Sequence, residues 1–159
     1  MTLRAAVPED AERVTALWNA MITQTLSTFT TIPRNIDEVG EVITTRSPAF
    51  LVLEIAGRVE GFATYGPFRP GPGYAHTVEH SVLLSEEAQG RGQGRALMAA
   101  LEDVARAQEM HVLIGAVSSA NPGAVAFHER LGFTQIGRLP EVGRKAGQWL
   151  DLILMQKLL

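Results

Sequence analysis

Three glycines at alternate positions, in Gln89-Gly90-Arg91-Gly92-Gln93-Gly94-Arg95, stand between an apolar run ending at Leu84 and a helix-patterned stretch opening at Ala96. Backbone donors can surround a phosphate only where no Cβ obstructs the approach, and the first turn of a helix supplies N–H groups without intrahelical partners. A glycine-rich turn from strand into helix meets both conditions, and the helix end adds an effective charge of roughly +0.5. Arg91 and Arg95 supply further positive charge, so the chemistry open to this segment is phosphate recognition. A Walker loop needs lysine and a hydroxyl residue after its last glycine, whereas Gly94 is followed by Arg95-Ala96. A dinucleotide fingerprint wants G-x-G-x-x-G and an acid ending the next strand; the spacing here is G-x-G-x-G, and His111–Val117 holds no acid. The alternative to ligand binding is a tight turn whose glycines let helix and strand pack closely.

Other residues could move protons. Glu79 lies in the strand-patterned run before the loop; taken alone, such a glutamate is usually a solvated or paired charge. His128 can give or take a proton near neutrality. His76 and His80 could share one strand face, and His111 opens a later strand, but no further ligand stands at a matching position and no metal is expected. No cysteine occurs, which excludes disulfides, thiolate nucleophiles and zinc-thiolate sites and is compatible with a reducing cytoplasm.

Elements must position these groups. Pro8 with Glu9 and Asp10 makes a good first turn, and Val14, Leu17, Trp18, Met21 and Ile22 follow at helical spacing. Asn35 with Glu38 resembles a capping pair for a second amphipathic helix through Ile36, Val39, Val42 and Ile43. β-Prone runs from Ala49 flank Gly57-Arg58 as a hairpin turn. Gly66 to Gly73 is too rich in proline and glycine for a helix or central strand and reads as a surface loop. A strand then runs from about Tyr74 to Leu84. After the glycines come a helix with Leu97, Leu101, Val104 and Ala105 on one face, a strand over His111–Val117, and a helix capped by Asn121 and stopped at Gly132. Two strand-like runs close the chain. The fold class is α/β, one domain over residues 1–159, with a mixed central β-sheet flanked by helices.

The 159 residues carry a net charge of −3, too little positive charge for a nucleic-acid surface. The N-terminal stretch has no apolar signal core and no long apolar run follows, which predicts a soluble, cytoplasmic protein without a membrane partner.

Gln89-Gly90-Arg91-Gly92-Gln93-Gly94 also matches the Q/R-x-x-G-x-G/A signature of the GNAT family of N-acetyltransferases, and Asn121-Pro122-Gly123-Ala124-Val125-Ala126-Phe127-His128-Glu129-Arg130-Leu131-Gly132-Phe133 resembles that family's N-x-x-A-x-x-F-Y-E-x-L-G-F segment. GYAHTVEHSVLL, FHERLGF and VGRKAGQWLDLILMQ resemble one branch, the phosphinothricin and methionine sulfoximine acetyltransferases and L-amino acid N-acyltransferases. The resemblance runs from about Leu3 to Gln156. It implies that the Val82, Leu83 and Leu84 backbone pairs with the pantetheine arm of acetyl-CoA. It likewise implies that Gln89 and Gly90, Arg91, Gly92, Gln93, Gly94 and Arg95 wrap the pyrophosphate and that Asn121 bonds the cofactor.

Acyl transfer to an amine requires a neutral nitrogen, although a free α-amino group titrates near pH 8. A base must take a proton, directly or through water, and the departing thiolate benefits from a donor. The branch resemblance makes Glu79 the general base. His128, where the wider family carries tyrosine, is then a candidate to protonate the thiolate, assist deprotonation or hold a water. For the substrate, the loop after Pro67 offers Arg69, Tyr74, Ala75 and His76, and Arg69 could bind a carboxylate bidentately. Phe29 adds a candidate aromatic wall. Trp18 reads as core, while Lys145 and Trp149 belong to a tail that the branch uses near its active site and dimer contacts. The implied activity is direct acetyl transfer from acetyl-CoA to the amine of a small amino acid or analogue such as methionine sulfoximine, methionine sulfone or phosphinothricin, by a homodimer. The alternatives are a non-catalytic acyl-CoA-binding module, or an acetyltransferase for aminoglycosides or protein N-termini.

Overall fold

The computed structural model describes residues 1–159. Strands β1 (Thr2–Ala5), β2 (Phe50–Ile55), β3 (Arg58–Pro67), β4 (Thr77–Leu84), β5 (Val112–Ser118), β6 (Thr134–Lys145) and β7 (Gln148–Leu158) form one sheet in the order β1-β2-β3-β4-β5-β7-β6. Four helices, α1 (Ala11–Gln24), α2 (Ile36–Arg46), α3 (Gln93–Ala107) and α4 (Pro122–Arg130), cover its two faces. Neighbouring strands are antiparallel except β4 and β5, which are parallel and joined through α3, the crossover that parallel strands require.

Side chains alternate faces along a strand, while directly opposed residues of an antiparallel pair share one. Phe50, Val52 and Phe62 point to the face covered by α1 and α2, where they enclose Trp18, Ile22, Val39 and Ile43. Leu51, Leu53, Ala63, Val78 and Leu113 point to the other face, against Leu97, Met98 and Leu101 of α3, with Phe127 of α4 at the margin. Glu102 of α3 is buried and takes the Lys157 ammonium at 2.8 Å, which fastens that helix to β7.

The helices follow their expected caps: Asn35 Oδ1 accepts from Glu38 N–H at 2.8 Å, and Asn121 Oδ1 from Ala124 N–H at 3.2 Å. Three boundaries differ from the sequence reading. β1 was not expected; its four residues hold Arg4, which pairs with Asp10 and Glu54 and makes a charged edge strand rather than an apolar one. The β2–β3 turn is Ala56-Gly57, both at positive φ (50° and 79°), one residue earlier than Gly57-Arg58. β3 continues through Gly66 and Pro67, and β4 starts only at Thr77, because Pro72–Tyr74 close into a single 3-10 turn.

Candidate active site

β4 and β5 pair only at Thr77–Glu79 with Val112–Ile114, although each runs on for several residues. Beyond Glu79 they part, and a cleft of about 820 Å³ opens between Ser81–Leu84 on one side and Gly115–Ser118 on the other. The β4 backbone from Val82 to Leu84 is bonded to β3 along one edge, and the other edge faces the cleft. An extended ligand arm with amide groups can add to that edge as a strand would.

The glycine loop stands at the end of this cleft. Gln89 Nε2 donates to the Leu84 carbonyl oxygen at 3.3 Å and fixes the loop's start. Gly90 and Gly92 have φ of +75° and +76°, where glycine alone is unstrained, and a Cβ on either would meet nothing within 4 Å. Gly92 caps α3 with no side-chain bond, so the first N–H groups of the helix are open. Gly94 has a different reason: a Cβ there would sit 3.2 Å from the Phe127 ring, so it serves helix packing. The packing reading therefore holds at Gly94, while Gly90 and Gly92 leave the approach to the loop open. Arg91 and Arg95 are exposed and enter no ion pair within the protein. Open helix donors, a Cβ-free approach and two uncommitted guanidiniums are a donor set that fits a pyrophosphate. No group of three or more His, Asp or Glu side chains gathers to suit a metal.

Glu79 lies where the strands part and lines the cleft. It is opposed to Gly66 across the antiparallel β3–β4 pair, and a Cβ on Gly66 would fall 2.8 Å from Arg46 Nη2. Glu79 and the Arg46 guanidinium therefore share the α1/α2 face. Crowding by protein raises the Glu79 carboxyl above the ordinary glutamate value, and the positive charge of Arg46 works against that rise. A raised carboxyl is a better match to proton transfer near neutrality.

Like His80, His128 lines the same cleft as Glu79, from the opposite face of the sheet. Its Nδ1–H donates to the Ala124 carbonyl oxygen at 2.7 Å, which leaves Nε2 as the acceptor in the neutral ring, and His80 Nε2 lies 2.8 Å away. Both imidazoles are buried, at 5% and 6% exposure, and burial lowers both pKa values, so the pair is neutral near pH 7. Gly115 makes room: a Cβ there would come within 3.0 Å of His80 Cε1 and 3.3 Å of His128 Nε2. The sequence reading considers His80 only as a metal ligand, whereas its position next to Glu79 in an alternating strand puts it on the other face, against His128.

Of the substrate candidates, Phe29 and Glu79 line the cleft. Phe29 belongs to the segment between α1 and α2, where Ser27, Thr28, Thr30 and Arg34 also face the cleft beside Trp18 and Met21. Lys145 Nζ donates to the Thr28 carbonyl oxygen at 2.7 Å and ties this segment to β6. Arg69, Tyr74, Ala75 and His76 are not brought to the cleft. Arg69 and Ala75 are exposed, the Tyr74 and Phe68 rings pack in a T-shaped arrangement, and the His76 ring donates from Nδ1 to the Glu109 carbonyl oxygen at 2.8 Å. The sequence reading missed Arg34 and Arg46, because only the fold carries the α1–α2 segment and the end of α2 over β4. Trp18 is core as expected, at 6% exposure, and one side of it also lines the cleft.

The acetyltransferase (GNAT) family model matches residues 18–133. The L-methionine sulfoximine/L-methionine sulfone acetyltransferase of Pseudomonas aeruginosa is 36% identical over 159 residues, covering 98% of this chain and 92% of its own. Among solved structures, the ribosomal-protein-alanine N-acetyltransferase from Brucella melitensis superposes with a TM-score of 0.94 at 37% identity, over 100% of both chains. The phosphinothricin acetyltransferase of Sinorhizobium meliloti, solved in complex with acetyl-CoA, gives 0.93 at 32% identity over 99% of this chain and 88% of that one.

Proposed function

Because this chain belongs to the GNAT acetyltransferase family and is accordingly an acetyl-CoA-dependent N-acetyltransferase, we propose that it acetylates the amine of a small amino acid or analogue, with Glu79 as the base. The observation that carries this reading is the position of Glu79: a carboxyl of raised pKa on the wall of the cleft, at the residue where β4 and β5 separate. Bound acetyl-CoA supplies a thioester acyl group, which needs only an unprotonated amine to attack it. The Gly90–Arg95 turn holds the pyrophosphate, with Gln89 steadying the loop, and the Val82–Leu84 edge aligns the arm. Asn121, at the cap of α4 and on the cleft wall, orients it from the far side. Glu79 takes the ammonium proton and passes it to solvent. His128 acts as half of the pair with His80, holding α4 against the parting strands rather than offering a free ring nitrogen.

Residues 1–159 work as one domain, and the protein is a cytoplasmic homodimer. Exposed Ile136, Leu139, Val142 and Trp149 on β6 and β7 support the dimer; light scattering that returns a monomer at micromolar concentration rejects it. The chemical reading is tested by release of CoA thiol against methionine sulfoximine, methionine sulfone, phosphinothricin and the natural amino acids. Glu79→Gln is expected to lower kcat/KM by about 100- to 10,000-fold and to abolish its rise with pH through the raised carboxyl pKa. An unchanged pH profile removes Glu79 from the role.

A further inference from the structure

The edge strand β6 breaks its register with β7 just before the residues that meet Phe29. Leu139 is opposed to Leu152 and Gly143 to Leu150, so Pro140, Glu141 and Val142 stand against Asp151 alone. A bulge of this kind leaves backbone groups without ladder partners and bends the strand that carries it. Glu141 is at a φ of +56°, a left-handed conformation unfavourable to any residue with a Cβ. The Asp151 carboxylate holds this stretch together. Its Oδ1 accepts from the Glu141 N–H at 2.8 Å and its Oδ2 from Arg138 Nε at 2.7 Å, so one side chain grips the strand before the bulge and within it. These two bonds hold the carboxyl below the ordinary aspartate value, and it is ionised at neutral pH.

Beyond the bulge, alternation leaves the Arg144 guanidinium over the Trp149 ring, at 4.4 Å, on one face and turns Gly143 and Lys145 to the other. There the Phe29 ring fills the space of a Gly143 side chain, and Lys145 Nζ holds the Thr28 carbonyl oxygen. Residues 25–35 form neither helix nor strand, so the place of Thr28 and Phe29 on the cleft wall depends on contacts of this kind. The backbone of Asp151 faces the other way, its N–H donating to Ser119 Oγ at 3.0 Å and its carbonyl oxygen accepting from the Ser119 N–H at 2.9 Å. Ser118 and Asn121, on either side of that link, line the cleft. We propose that Asp151 is a positioning residue for the acceptor wall: its carboxylate fixes the β6 bulge and, through Gly143 and Lys145, the place of Phe29 and Thr28. Asp151 does not itself line the cleft, so it acts only through these neighbours. Because the link to Ser119 is made by backbone, and by the Ser119 hydroxyl, changing the Asp151 side chain leaves the cofactor wall in place.

The test has a kinetic arm, which rests on the acyl-transfer reading above, and a hydrogen-exchange arm, which does not. Thiol release with L-methionine sulfone as acceptor is measured for the wild type, Asp151→Ala, Asp151→Asn and, as a control for loss of an exposed paired carboxylate elsewhere, Asp103→Ala. Asp151→Ala is expected to raise the acceptor KM by about 5- to 50-fold with the acetyl-CoA KM within about twofold of wild type. Asp151→Asn keeps an oxygen for the Glu141 N–H and should recover part of the loss, and Asp103→Ala should change neither constant. Amide exchange followed by mass spectrometry should be at least about fivefold faster over residues 25–32 in Asp151→Ala, and unchanged in α3. A general loss of stability would raise both KM values and quicken exchange throughout. That result, an acceptor KM left alone by Asp151→Ala, exchange unchanged over residues 25–32, or a KM effect that follows a change of oligomeric mass in light scattering overturns the assignment. If no acceptor is turned over by the wild type, the acyl-transfer reading fails, and exchange over residues 25–32 alone decides the role of Asp151.

Discussion

Gly143→Ala adds a single methyl group more than a hundred residues from the segment it disturbs. Gly143 lies on β6 opposite Leu150, and its φ is not in the left-handed region, so alanine suffers no backbone strain there. The space a Cβ would take is filled by Phe29: the new carbon would lie 2.5, 2.6 and 2.7 Å from Cδ2, Cε2 and Cγ of the ring. Carbons in contact settle at about 3.5–4.0 Å, so the ring must retreat by about 1 Å. The segment cannot simply lift, because the neighbouring Thr28 carbonyl is held by Lys145, two residues along the same strand. The ring therefore turns toward the cleft that it lines. Overpacking of this kind costs about 1–3 kcal/mol, and borne by the acceptor complex it raises the acceptor KM by about 5- to 150-fold. Steady-state kinetics with each substrate varied in turn should show that rise with the acetyl-CoA KM unchanged. Adding Phe29→Leu, which shortens the side chain, should return part of the loss as a positive coupling in the double-mutant cycle. An acceptor KM that Gly143→Ala leaves alone, or a double variant in which the two effects simply add, refutes the argument that β6 sets the pocket wall through Phe29.

At Gly92, alanine must adopt the observed φ of +76°, a conformation that costs about 1–2 kcal/mol. Gly92→Ala should therefore raise the acetyl-CoA KM, read by thiol release, with the acceptor KM unaffected. Asp10 accepts two bonds from Arg4 and one from the Val7 N–H, and these hold its carboxyl below the usual aspartate range. A lowered pKa means stabilisation that is complete above the unfolded value and is lost as pH falls through the folded one. Asp10→Asn should cost about 1.5 kcal/mol at pH 7 in urea unfolding, toward the low end because Arg4 is a third exposed, and the gap to wild type should close below about pH 4. For the histidines, nitrogen NMR should find His128 as the Nδ1–H tautomer and His80 as the Nε2–H tautomer, both neutral at pH 7; a charged ring at that pH contradicts the pairing.

Much of the architecture was legible because it rests on local chemistry. Asn35 and Asn121 are recognisable caps, the spacing of Val14, Leu17, Trp18 and Ile22 belongs to a helix, and a glycine loop before a helix announces its open donors. The role of Gly94 was harder to read, since whether a glycine clears a ligand or a neighbour depends on Phe127, more than thirty residues away. The acceptor pocket was least legible. The loop over Phe68–His76 has the residue types that bind amino acids, yet it hands His76 to Glu109 and leaves Arg69 in solvent. Arg46, whose charge acts on Glu79, and Arg34, which lines the cleft, come from elements whose positions are set by sheet order and by the packing of α1 and α2 on Phe50 and Phe62, which no local motif records.

Glu79 and His80 are adjacent, and in a strand adjacency means separation, because successive side chains leave on opposite faces. Glu79 therefore stands with Trp18, Arg34 and Arg46 under α1 and α2, while the neutral histidine pair stands with Phe133 and α4 on the other side of the sheet. The parting of β4 from β5 is the opening between those faces, and Glu79, His80 and His128 all line it. Both ring nitrogens of His128 are turned to neighbours within the protein, Ala124 and His80. The histidine pair instead binds β4 to α4 across the gap where the strands have lost their own hydrogen bonds. That bond runs from the residue next to Glu79 to the helix that Asn121 caps, and so sets the spacing between the two walls of the cleft.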